Sequence, residues 1–436
     1  MALSTESVIT SWLRRTNGFW FSVYATLAAF SLYTCVYAFR KTFAVATFDE
    51  ITYAGISYKV WLVTFQMIGY AMSKFVGIKV ISELKATSRS IGILITVIIA
   101  GASWLFFGLV PRPYNIIFLF TNGFPLGLVW GMVFGYLEGR RYTEVLGAGL
   151  SVSFIFSAGF AKSVGGFIMR DWGVSETWMP FVTSCVFLGP LLLFLWLLDK
   201  LPPPTPEDEV MRTKRQPMDA EQRKSFVRTF LPGIILFTLA YMLLTIFRDF
   251  RDNFSAEVWK TLGYGNSPEI FTTTEIPVSF TVLIVMGSLM IIKNNKLALM
   301  VNHVIILFGM ILIGASTFLF QQQVINPTAW MILIGLGLYL GYVPFNSIFF
   351  DRLLAAFKYV GTVGFIIYIA DSFGYLGSVG VVLFKEIFKE FWDVDLSWLE
   401  FFISTGYIIS IAGSILIAGS MAYFHFKHQQ MKSRGL

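Results

Sequence analysis

Charge is the scarcest commodity in this sequence. Asp, Glu, Lys and Arg make up 14% of its 436 residues, against about a quarter in soluble globular domains. With 56% hydrophobic residues and a mean hydropathy of +0.69, this excludes an ordinary cytosolic enzyme, and it excludes disorder, because there is ample apolar surface to bury. Cysteine is nearly absent: Cys35 and Cys185 support neither a disulfide framework nor a thiolate metal site. Three histidines, His303, His425 and His428, leave little for a zinc centre. A phosphate-cradling Gly-rich loop followed by Lys and Ser or Thr is missing, which argues against an ATP-driven machine. Alternating polarity within the apolar runs is missing too, which argues against a membrane β-barrel.

What the chain has is long apolar runs. A helix crosses a bilayer with about 20 mostly apolar residues. Twelve such runs fall near 19–46, 57–80, 91–110, 115–137, 147–170, 177–199, 230–256, 270–292, 297–320, 327–350, 359–384 and 399–424. The net charge of +7 sits in the gaps between runs, so it reads as membrane topology rather than a nucleic-acid surface. With both termini inside, the inner segments hold twenty-one Lys and Arg; the outer ones hold seven, namely Lys59, Arg112, Arg170, Arg251, Lys260, Lys385 and Lys389. Basic residues concentrate on the cytoplasmic side, so both termini are expected there. An Arg pair precedes the first run without a small-residue cleavage site after it, so no removable leader is expected.

One polar stretch, Asp199–Arg228, opens with Leu201-Pro-Pro-Pro-Thr-Pro206 and divides the runs six and six. The expected organisation is a bundle over 1–199, a cytoplasmic connector over 200–228 and a second bundle over 229–436. The halves echo one another. Tyr33 and Phe39-Arg40 in the first run match Tyr241 and Phe247-Arg248 in the seventh, 208 residues on. Gly127-Leu128, Gly131 and Val133 match Gly337-Leu338, Gly341 and Val343, 210 residues on. Repeats of this kind point to an all-α membrane fold of twelve helices in two pseudo-twofold-related six-helix bundles, the major facilitator architecture. Gly123, Gly127, Gly131 and Gly135 recur every fourth residue, a small-residue stripe suited to close helix packing.

Ionisable residues at membrane depth cost roughly 2.5–3.5 kcal/mol on insertion scales, so they face protein or water and mark function. The candidates are Arg40, Lys41, Lys74, Lys162, Arg248, Asp249, Glu275 and Asp371. The repeat places Arg40 and Arg248 at equivalent positions, one per half. Two guanidiniums serving one anion would bind an oxyanion through their planar donor forks. Snorkelling of each to an interface is the alternative. Lys74 and Lys162 are candidates to assist. Asp371 and Glu275 are candidates to balance the basic cluster or carry a proton. Lys41 and Asp249 stay open between pairing elsewhere and an outer-loop position.

These residues carry a resemblance. Tyr37-Ala-Phe-Arg40-Lys41-Thr-Phe43-Ala-Val-Ala46, Gly69-Tyr-Ala-Met-Ser73-Lys74-Phe75, Ala161-Lys162-Ser-Val-Gly165-Gly166, Tyr241 to Arg248, Glu275 and Phe373-Gly-Tyr-Leu-Gly-Ser378 resemble stretches of the organophosphate:phosphate antiporters. These are the glycerol-3-phosphate and hexose-phosphate transporters of the major facilitator superfamily. The resemblance implies that Arg40 and Arg248 hold a substrate phosphate and that Lys74 assists. Lys162 stands where the glycerol-phosphate carriers have His. The loop after the second run reads Ser82-Glu83-Leu84-Lys85 in place of the family's Asp-Arg motif, so a divergent relative is expected.

The function expected is secondary transport of a small organic anion, a phosphate ester first, by alternating access with phosphate exchange or proton coupling. Proton-coupled uptake of carboxylates or sugars, or an anion sensor without turnover, are the alternatives. An enzyme is not expected, since no nucleophile–base pair, metal cluster or active-site pair of carboxylates is visible. A monomer in the bacterial inner membrane is expected, with the bilayer and a small anion as partners and no nucleic acid, metal or cofactor.

Overall fold

The computed structural model describes residues 7–138, 140, 143–205, 208, 220–357, 363–392 and 396–433. The chain divides into two compact units, Met1–Thr213 and Lys214–Leu436. Residues 206, 207 and 209–219 of the expected connector lie outside the described residues, and from Ala220 onward the chain is already helix.

The first unit opens with a short amphipathic helix, α1 (Val8–Arg15). Ser7 caps it, its hydroxyl accepting from the Thr10 N–H at 3.1 Å, and the Thr10 hydroxyl in turn donates to the Lys200 carbonyl at 3.0 Å. Six long helices follow: α2 (Gly18–Lys41), α3 (Tyr58–Glu83), α4 (Arg89–Leu109), α5 (Ile117–Leu137), α6 (Thr143–Trp172) and α7 (Met179–Asp199). A small hairpin pairs Thr52–Tyr53 with Ile56–Ser57 ahead of α3. Its turn uses Ala54 and Gly55 at φ of 53° and 75°, the left-handed region that tight hairpins need and glycine supplies without strain.

The second unit holds α8 (Ala220–Thr261), α9 (Ile270–Leu289), α10 (Asn295–Gln321), α11 (Pro327–Ser347), a short α12 (Phe349–Ala356), α13 (Val363–Trp392), α14 (Trp398–Ile408) and α15 (Ser414–Ser433). A π-turn, Ile409–Gly413, joins α14 to α15. Among the described residues ten helices are long and apolar enough to cross a membrane. At the two remaining expected runs, 57–80 and 359–384, stand α3 and α13, helices of 26 and 30 residues.

Apolar side chains sit on both faces of these helices, so one face meets the bundle and the other faces outward. On α4, Ile93, Val97 and Ala100 are buried while Ile91, Ile95 and Ile98 are 59%, 52% and 65% exposed. Outward apolar surface of this extent is untenable in water and at home in lipid. The protein is a multi-pass integral membrane protein.

The helix pairing recurs in the two units. In the first, α2 packs on α6 and α7, and α5 packs on α3 and α4. In the second, α8 packs on α13 and α15, and α11 packs on α9 and α10. Counted by span within each half, these are the same four pairs. Backbone approach is closest where glycine permits it. A Cβ added to Gly123 would lie 2.3 Å from the Gln66 carbonyl oxygen, and one on Gly127 1.7 Å from the Ser73 hydroxyl. Gly123 and Gly127 therefore form a packing seam of α5 against α3, while Gly135 makes room for Arg89 of α4.

Candidate functional site

In the first unit, Arg40 stands one residue from the C-terminus of α2. The last carbonyls of a helix have no partner in the helix itself. Here two of them are held by side chains from three other helices. The Phe39 carbonyl accepts from Trp104 Nε1 at 2.6 Å and from Asn122 Nδ2 at 3.0 Å. The Arg40 carbonyl accepts from Gln66 Nε2 at 2.6 Å, and Gln66 also bonds Asn122 Oδ1 at 2.9 Å. Asn122 and Gln66 are fully buried. The backbone that carries Arg40 is thus fixed by α3, α4 and α5, and little freedom remains for the helix end to fray.

The half-buried Arg40 side chain leaves this clamp across an aromatic shelf. Its guanidinium carbon lies 3.6 Å from the centre of the Tyr70 ring and 5.9 Å from that of Tyr37. Lys74, one turn along α3, places Nζ 4.9 Å from the same Tyr70 ring. The structure thus brings Arg40 and Lys74 to one aromatic side chain, whose negative face offsets part of the repulsion between them. Lys162 is 3% exposed. Helices α2 and α6 run parallel, since Thr34 bonds Ser157 at 2.8 Å and a Cβ on Gly165 would meet Thr42. That register sets Lys162 level with Phe39 and Arg40.

In the second unit, α8 runs unbroken past Arg248, so Asp249 is a helix residue, 6% exposed, and not part of an outer loop. Asp249 Oδ1 accepts from Arg248 Nη2 at 2.7 Å and from Nε at 3.1 Å. The other arm, Nη1, donates to the Tyr342 hydroxyl, and the guanidinium carbon is 4.4 Å from the centre of that ring. The Tyr342 and Tyr241 rings stack at 5.3 Å with hydroxyls 3.1 Å apart. Tyr241 donates to Asp371 Oδ1 at 2.5 Å, with the Asn346 amide 3.3 Å away. Asp371 therefore reaches Arg248 through two tyrosines rather than directly.

Glu275 engages a different arginine. Its Oε1 accepts from Arg251 Nη1 at 2.6 Å, with both side chains under 10% exposed. Arg251 Nη2 reaches the Met331 carbonyl at 3.3 Å. Gly335 makes room for it, since a Cβ there would lie 2.8 Å from Nη2. Arg251, Lys59 and Lys385, read from the sequence as outer-loop charges, are 5%, 1% and 9% exposed. Their apolar stems and internal partners hold them inside: Lys59 Nζ donates to the Ala44 carbonyl at 2.9 Å, and Lys385 Nζ sits 4.0 Å from the centre of the Trp398 ring.

Sequence reasoning missed the clamp and the shelves. Gln66 and Asn122 carried a signal, because primary amides in apolar runs find partners across helices. Arg251 carried one too, lying three residues beyond Arg248 and so on a shared helix face. The tyrosines carried none beyond composition.

Arg40 in the first unit thus has tyrosine neighbours, and Arg248 in the second has both a tyrosine and a carboxylate. Residues 42–427 match the profile of a family of unknown function, DUF5690. No curated protein sequence matches the chain. Among solved structures it is similar to a D-xylose–proton symporter, with a TM-score of 0.62 at 17% identity over 92% of this chain and 97% of that one. It is similar to the inward-open xylose transporter XylE from E. coli, with a TM-score of 0.57 at 14% identity over 90% and 94%. It is also similar to the nucleoside transporter NupG, with a TM-score of 0.58 at 14% identity over 92% and 99%. At such identities the likeness establishes the fold. The chain belongs to the DUF5690 family and has the fold of major facilitator transporters.

Proposed function

We propose that this protein is a secondary transporter of a small organic anion, a phosphate ester in the first instance. It works by alternating access, in exchange for inorganic phosphate or with proton coupling. The observation that carries the reading is the recurrence of a repeat-related arginine over a tyrosine face in each unit, Arg40 on Tyr70 and Arg248 on Tyr342. A guanidinium presents a rigid donor fork to phosphate or carboxylate oxygens. The ring beneath fixes its plane without neutralising it. Lys74 and Lys162 add positive charge beside Arg40; Asp371 and Glu275 provide the carboxylates that balance charge or carry a proton. We further propose a bacterial inner-membrane location with both termini cytoplasmic, on the Lys and Arg bias of the loops.

The test is flux. Proteoliposomes loaded with inorganic phosphate should take up a labelled phosphate ester, and unlabelled ester outside should drive phosphate out. A second reading rests on the hydroxyl and amide cluster of Tyr241, Tyr342 and Asn346, which suits a hydroxylated solute, and on likeness to proteins described as xylose transporters. Proton-driven uptake of D-xylose without any phosphate ester flux would favour it and end the anion reading.

A further inference from the structure

We infer that Asp249 is a built-in competitor for the anion, a carboxylate that occupies the Arg248 fork when no ligand is bound and must be displaced for one to enter. The inference rests on the anion-binding reading of Arg248 and adds a regulator to that site.

The geometry is that of an inferior pair. Consecutive residues on a helix point about 100° apart and do not face each other. Asp249 nonetheless bends back to Arg248 and offers a single oxygen, Oδ1, to both Nε and Nη2. Its Oδ2 is buried with no hydrogen-bond partner among the described residues, although the Asp249 side chain is only 8% exposed. A guanidinium–carboxylate pair of full strength uses two parallel bonds to two oxygens, and a buried acceptor left unmade is unfavourable. On the backbone side, Asn253 Nδ2 donates to the Asp249 carbonyl at 2.7 Å within the same helix.

An oxyanion arriving with two free oxygens can give Nε and Nη2 one acceptor each. It therefore outcompetes Asp249 where a weakly hydrogen-bonding anion such as chloride does not. Asp249 thus raises the threshold for occupancy for every anion alike, while the preference for paired oxygens belongs to the Arg248 fork itself. It also helps the ligand leave, because the carboxylate returns to the fork.

The test uses the full-length protein in detergent, titrated calorimetrically with inorganic phosphate and, separately, with chloride. Removing the carboxylate in Asp249→Asn should tighten phosphate binding about tenfold, or about 1.4 kcal/mol, and tighten chloride binding by a similar factor. Exchange flux should fall at the same time, since release slows. Asp249→Glu, which keeps the charge, should bind phosphate closer to the wild-type affinity than Asp249→Asn does. A residue that only supports the fold would weaken binding when changed. Wild-type phosphate binding with equal or weaker binding by Asp249→Asn overturns the inference and leaves the anion reading intact. Absence of binding in both proteins overturns the anion reading itself. If neither Asp249→Asn nor Asp249→Ser is monodisperse, infrared difference spectra of the wild type decide. Phosphate should shift an aspartate carboxylate stretch as the pair opens, and an unchanged band overturns the inference.

Discussion

The Arg40 guanidinium carbon lies 3.6 Å from the centre of the Tyr70 ring, and the ring is the part of that contact a mutation can remove cleanly. A cation over an aromatic face gains about 0.5–2 kcal/mol, and a phenyl ring serves much as a phenol does. Tyr70→Phe should therefore bind phosphate like the wild type. Tyr70→Leu should bind roughly two- to thirtyfold more weakly. Calorimetric titration of the two variants checks this, and equal affinities would remove the shelf from the account.

The seam between α3 and α5 makes a stability prediction. A Cβ at Gly123 would meet the Gln66 backbone oxygen at 2.3 Å, and a backbone atom cannot swing aside as a side chain does. Overpacking of this kind costs about 1–3 kcal/mol. Gly123→Ala should lower the apparent Tm in detergent, while Gly287→Ala, with open space around its Cβ position, should not. A Gly123→Ala protein as stable as the wild type would mean the helices part easily and the seam is slack.

Much of this fold was legible because lipid imposes a simple rule. Runs such as 91–110 and 297–320 are apolar throughout, and in a bilayer such a run forms a helix. The echo between Phe39-Arg40 and Phe247-Arg248 carries the repeat in the sequence itself. Depth was harder to read. Arg251 falls near the end of the seventh run and counts by sequence among the outer charges, but α8 extends to Thr261 and Glu275 meets it inside. Partners of this kind come from distant helices, so no local pattern encodes them. The same holds for the clamp on Phe39 and Arg40, built from Gln66, Trp104 and Asn122.

The Arg251–Glu275 pair should behave as buried ion pairs do. Removing one partner strands a charge and costs about 3–5 kcal/mol, whereas replacing both with apolar groups is often close to neutral. Glu275→Gln should lower the apparent Tm sharply. The double variant Arg251→Met with Glu275→Leu should recover much of the loss. If the double variant is stable and transports normally, Glu275 has no part in coupling. If it is stable and flux-dead, the coupling role stands. A double variant less stable than either single would contradict the buried-pair account.

Topology is tested by labelling. In a background with Cys185 replaced by Ala, an impermeant thiol reagent applied to intact cells should modify Gly55→Cys in the hairpin turn and spare Arg215→Cys in the connector. After permeabilisation both should react. Modification of Arg215→Cys from outside would reverse the proposed orientation.

The arginines bear most of the functional argument, and Lys is the substitution that tests them. It preserves the charge and the snorkelling reach while replacing a planar fork with a point charge. Arg40→Lys and Arg248→Lys should insert normally. The clamp around Arg40 holds its backbone carbonyl rather than its side chain, and the Tyr342 ring that Arg248 touches is also held by stacking on Tyr241. Hydrogen bonds to charged groups contribute roughly 1.5–3 kcal/mol each, so losing one arm of the fork should weaken phosphate binding at least about tenfold. Arg248→Lys carries a second signature. An ammonium still pairs with Asp249, but it cannot reward an anion that brings two oxygens, so the preference for phosphate over chloride should shrink along with the affinity. A guanidinium that merely snorkels to the membrane surface predicts the opposite, with Lys as good as Arg in binding, preference and flux. Wild-type uptake by either lysine variant, at wild-type abundance in the membrane, would remove that arginine from the site.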